Sequence, residues 1–131
     1  MILGGFLGLV FSFGLMKVLS HKIGASILAL SSLALIGIGV FPETIFTLHF
    51  LTSASFFILL AIGLLVIGLT SRKNSFERPY GLLALVFVFI AITSLVFLFH
   101  FDGIAITEAL SCFPAFVWCS IVGMKMTRSS D

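Results

Sequence analysis

Five stretches of about twenty apolar residues, each parted from the next by a short polar break, govern what this chain can become. They cover residues 2–20, 23–41, 45–70, 81–99 and 104–124. A hydrocarbon core about 30 Å thick takes about 20 apolar helical residues to cross, so every one of these runs has spanning length. A soluble domain carries about 25 % charged residues; this chain carries 9 %, with 60 % hydrophobic and a mean hydropathy of +1.31. The expected fold class is an all-α, polytopic transmembrane helical bundle. It forms a single transmembrane domain over residues 1–131, a multi-pass protein of the cell membrane with the lipid bilayer as its first partner.

The breaks are His21-Lys22, residues 42–44, 71–80 and 100–103. Connections this short make neighbouring helices antiparallel. All seven basic residues then fall on one side: Lys17, Lys22, Arg72, Lys73, Arg78, Lys125 and Arg128. The second and fourth breaks hold no Lys or Arg. Because cytoplasmic loops are enriched in these residues, the expected topology has five spans, the N-terminus outside and the C-terminus inside. The first run begins without the positive n-region of a signal peptide and reads as a retained span. No basic stripe of the kind nucleic acid requires is present.

Glycine is frequent. Gly4 and Gly8 make a GxxxG spacing, which favours close helix approach; packing within the bundle is the simpler account, dimerisation the alternative. Pro114 interrupts the fifth run. Cys112 and Cys119 are about 10 Å apart along a helix, too far to bridge, and read as packing residues. Glu77 and Asp131 fall on the basic side, where solvation is expected.

The remaining ionisable residues gather at the other side: Glu43, His49, His100, Asp102 and Glu108. Most have a plain structural role to hand. Glu43 suits a helix first turn, Glu108 could follow a Thr107 cap, His100 suits a helix C-terminus, and Asp102-Gly103 suits a turn. His49 fits none of these. It stands about 9 Å of helical rise beyond Glu43, and Thr52 and Ser53 extend its polar face. Glu108 heads a second small and polar stripe of Ser111, Cys112, Ala115 and Cys119. Polar faces in a membrane bundle turn inward. The expectation is a polar pocket at the outer face, with Glu43, His49 and Glu108 at its centre and His100 and Asp102 at its rim.

The segment "GIGVFPETIFTLHFLTSASFF" resembles the signature of domain-of-unknown-function family 998, polytopic membrane proteins of archaea and bacteria. Its Gly-x-Phe-Pro-Glu turn, following histidine and Phe-Phe pair correspond to Gly39, Phe41, Pro42, Glu43, His49, Phe56 and Phe57. The closing "GIAITEALSCFPAFVWCSIVG" resembles the family's last span through Gly103, Glu108 and Trp118. The resemblance implies that Glu43, His49 and Glu108 belong to recurring motifs, and it brings no activity. It also implies six spans in most members against the five expected here, so that either the start is shorter or a first helix precedes this sequence.

Three functions follow as expectations. The first is binding of a lipid head group or small solute in the outer pocket. The second is an accessory or structural role, packed against a larger membrane partner or a second copy. The third, a metal-dependent membrane hydrolase, is the least supported: no HExxH-type spacing or nucleophile constellation occurs. No catalytic residue, metal site or cofactor is expected.

Overall fold

The computed structural model describes residues 1–75, 77–98 and 104–128, with side chains for all of these except Lys73 and residues 94–98 and 104–111. The described residues form five α-helices and no strand: α1 (Ile2–Val18), α2 (Ile23–Val40), α3 (Phe46–Thr70), α4 (Arg78–Leu98) and α5 (Ile104–Arg128). A single 3-10 turn, Ser71–Lys73, follows α3.

The helix ends have local causes. α1 stops at Val18 because Leu19 turns extended while its N–H still bonds the Leu15 carbonyl. α3 starts only at Phe46, since residues 42–45 form a turn closed by the Ile45 N–H on the Pro42 carbonyl at 2.9 Å. Glu43 therefore stands in that turn and not in a helical first turn. α4 begins at Arg78, three residues before the apolar run, because Pro79 is tolerated in a first turn. α5 includes Thr107 and Glu108 within its body, so Thr107 is not its cap.

Each helix packs on the next in sequence, and α1 meets α5 more lightly. The connections leave two ends. One collects the α1–α2 and α3–α4 connections with the lysines and arginines, the basic end; the other holds the α2–α3 turn, the Glu43 end.

The distribution of side chains is inverted relative to a water-soluble helical protein. Large apolar residues line the exterior of every helix, among them Phe6, Phe13, Phe50, Ile62, Phe89 and Phe113. The interior holds Ser12, Ser31 and Ser32 beside Leu15, Leu28 and Ile67. Interior hydroxyls are satisfied: Ser31 Oγ donates across to the Phe56 carbonyl of α3 at 3.1 Å, and Ser12 and Ser32 donate back to their own helices. α2 and α3, with mean hydropathies of 2.2 and 2.6, are long and apolar enough to cross a membrane. α1 and residues 78–93 of α4 are apolar but shorter.

Glycines set two of the closest crossings. A Cβ on Gly24 would lie 3.1 Å from the Gly63 carbonyl oxygen, and one on Gly63 3.3 Å from that of Gly24. Gly68 of α3 and Gly81 of α4 stand in the same reciprocal relation, at 3.0 and 3.3 Å. Backbone thus meets backbone, as small residues allow in lipid.

Candidate functional site

At the Glu43 end, His49 occupies the first turn of α3 and is half-buried. Its Nδ1 lies 2.8 Å from the Phe41 carbonyl oxygen. A carbonyl only accepts, so Nδ1 carries the hydrogen. Phe41 follows the last residue of α2, where helix carbonyls lack intrahelical partners. The imidazole therefore caps α2 from α3, and its Nε2 has no hydrogen-bond partner among the described residues. The polar face beyond it turns toward α2: Thr52 abuts Gly37, although its hydroxyl is spent on the Leu48 and His49 carbonyls at 2.8 and 3.0 Å.

Glu43 is exposed in its turn, and among the described residues no hydrogen bond joins it to His49. Glu108 sits in the helical body of α5, but its side chain lies outside the described residues, as do His100 and Asp102 altogether. One turn along α5 from position 108, Cys112 packs against the Leu35, Ile38 and Phe56 cluster of α2 and α3. Among the described residues no three His, Cys, Asp or Glu side chains converge on a metal position.

Among the described residues, the most developed polar cluster stands at the basic end. Glu77 is buried, 4 % exposed, contrary to the solvation expected from its place in a charged break. Its Oε1 accepts from the Ser20 N–H at 3.0 Å, the Ser20 hydroxyl at 2.6 Å and the Asn74 side-chain amide at 2.9 Å. Ser71, itself buried, adds a further hydrogen bond. Burial pushes the carboxyl upward, but the bonds from Ser20, Asn74 and Ser71 outweigh it and hold Glu77 below its ordinary 4.5. Its position just before α4 also places the charge where the helix dipole favours an anion. The carboxylate ties the α1–α2 connection to the α3–α4 connection.

Beside it, Trp118 of α5 is buried at 1 % exposure. Its indole N–H donates to the Tyr80 carbonyl at 2.9 Å, and Phe11 of α1 meets its ring edge-on at 5.8 Å. A cavity of about 20 Å³ lined by Leu15, Ile67, Ser71, Glu77, Trp118 and Lys125 lies among them. That volume admits about one water molecule. The sequence reading placed Glu77 in solvent, yet a signal to the contrary was present. Asn74-x-x-Glu77 before an apolar run has the spacing of an N-terminal capping pair.

The family model described as protein of unknown function (DUF998) matches residues 1–125. The chain belongs to the DUF998 family. The resemblance drawn from the Phe-Pro-Glu turn and its following histidine is thereby borne out. No curated protein and no solved structure matches the chain. In this DUF998 member His49 fastens the Phe41 carbonyl.

Proposed function

We propose that this DUF998 member is a multi-pass protein of the cell membrane with five spans, N-terminus outside and C-terminus inside. Its Glu43 end holds a polar pocket for a lipid head group or a small solute carrying a cationic group. The membrane reading is supported by the inverted side-chain distribution, since polar groups are sequestered and phenylalanines displayed where the solvent is hydrocarbon. The orientation is supported by the segregation of Lys and Arg.

The observation that carries the pocket is the fixed imidazole. With Nδ1–H committed to Phe41, Nε2 is the ring nitrogen left to meet a ligand. Glu43, and Glu108 from α5, supply negative charge to a cationic ligand, with His100 and Asp102 at the rim. The packing of Cys112 supports bringing the 108-bearing face of α5 toward α2 and α3, because residues four apart share a helix face. The alternative of an accessory subunit docking through Gly4 and Gly8 has less to rest on: both glycines face Leu35 and Ser32 of α2.

Native mass spectrometry of gently extracted protein tests the pocket. A small molecule retained by the wild type and lost from His49→Ala and Glu43→Gln is expected; retention unchanged in both variants removes it. Topology is tested separately by Glu43→Cys with Cys112 and Cys119 replaced by Ser. An impermeant thiol reagent should label residue 43 on intact cells; labelling only after disruption reverses the orientation.

A further inference from the structure

We propose that the basic end is a docking surface for the anionic phosphate head groups of the leaflet it meets. Lys17, Lys22, Arg72, Arg78 and Arg128 are all exposed there. They come from the end of α1, the start of α2, the 3-10 turn, the start of α4 and the end of α5. The acid at that end among the described residues is Glu77, and it does not neutralise them. Its carboxylate is buried and bound by Ser20, Asn74 and Ser71; no lysine or arginine is among its partners.

Helix stability does not account for all these cations. Lys17 and Arg128 lie at helix C-termini, where positive charge is favoured. Lys22 is the N-cap of α2 and Arg78 opens α4, where the dipole disfavours it. Among the described residues no ion pair offsets those two charges.

Their surroundings favour lipid over a protein partner. Exposed Val18, Ile23, Leu69 and Leu82 border the same connections. A cation beside exposed aliphatic surface suits a side chain that lays its stem on hydrocarbon and its head among phosphates. Juxtamembrane Lys and Arg each strengthen attachment to an anionic leaflet about fivefold, within a Debye length of it.

This inference rests on the membrane reading, and the test separates the two. The full chain is reconstituted into vesicles of phosphatidylcholine alone and of phosphatidylcholine with phosphatidylglycerol in equal parts, then extracted for native mass spectrometry. Failure to insert into either vesicle sinks the membrane reading and this surface with it. Given insertion, the wild type should retain phosphatidylglycerol over phosphatidylcholine at low salt, and added salt should erode that preference. Lys22→Gln/Arg72→Gln/Arg78→Gln should lower it by roughly a hundredfold. Should that variant fold poorly, the single Lys22→Gln with the wild-type salt series decides, at an expected loss of about fivefold. Equal retention of the two lipids, insensitivity to salt, or an unchanged preference in the folded variants overturns the proposal.

Discussion

At the basic end, one carboxylate gathers three donors on a single oxygen beneath two connections, with Trp118 packed beside it. Among the described residues at the Glu43 end, the His49 imidazole makes one bond, to a helix-terminal carbonyl, and the neighbouring Glu43 stands exposed. Among the described residues, the larger buried cluster, drawn from all five helices, lies toward the basic end: Leu15, Ala25, Leu64, Ala84, Trp118 and others. The described cluster nearer the Glu43 end is built on Leu35, Ile38 and Phe56, with Ala34, Phe57, Leu60 and Cys112 packed against it. A buried charge is sustained only where donors converge on it, so the first end has the character of a joint. The second leaves Glu43 exposed and the Nε2 of His49 without a hydrogen-bond partner among the described residues.

The sharpest way to break this contrast is to empty the joint. Trp118→Ala removes a buried ring and its bond to Tyr80, at an expected cost of about 3–5 kcal/mol in detergent unfolding. Phe50→Ala on the exposed flank of α3 should stay within about 0.5 kcal/mol. Equal effects would abolish the distinction between the ends. Next in size is the α2–α3 crossing. Gly24→Ile has backbone in its path and should cost about 1–3 kcal/mol through overpacking. Gly4→Ala, whose added carbon would meet only Leu35 at 3.7 Å, should change stability little.

Charge deletion ranks third. Glu77→Ala strands the Ser20 and Asn74 donors and should cost about 1–3 kcal/mol, while His49→Ala loses one neutral bond worth about 1 kcal/mol. A larger loss for His49→Ala would reverse the ranking of the two ends. The smallest effect is the pH dependence. Because Glu77 is held below 4.5 when folded, its contribution is complete above that value. It declines as pH falls below 4.5 and vanishes once the folded carboxyl protonates. Thermal unfolding followed from neutral to acid pH should show this limb in the wild type and a flatter one in Glu77→Gln.

Much of the scaffold was legible beforehand. The five apolar runs correspond to five helices because a chain this poor in polar side chains must satisfy its backbone within each segment. The breaks were visible in Pro42, in the 71–80 segment and in the collected lysines. Helix ends were less legible: nothing in composition separates Ile45, in a turn, from Phe46, in a helix. Of the proposed pocket, the motif around Glu43 and His49 was readable, whereas the bond from His49 to Phe41 spans a turn whose geometry no spacing rule supplies. The reading of Glu77 as solvated failed because it weighed the charged neighbours and not the donors that Ser20 brings from a distant connection.

By itself, then, the amino-acid order determined the number and class of elements, the sidedness of positive charge and the membership of a family. Tertiary structure alone decided which glycines touch, that Ser31 bridges two helices and that Glu77 is buried. The physical reason is that helices apolar on every side carry little record of their facing. Lipid and bundle interior are nearly the same solvent to a leucine, so only the packed arrangement distinguishes them.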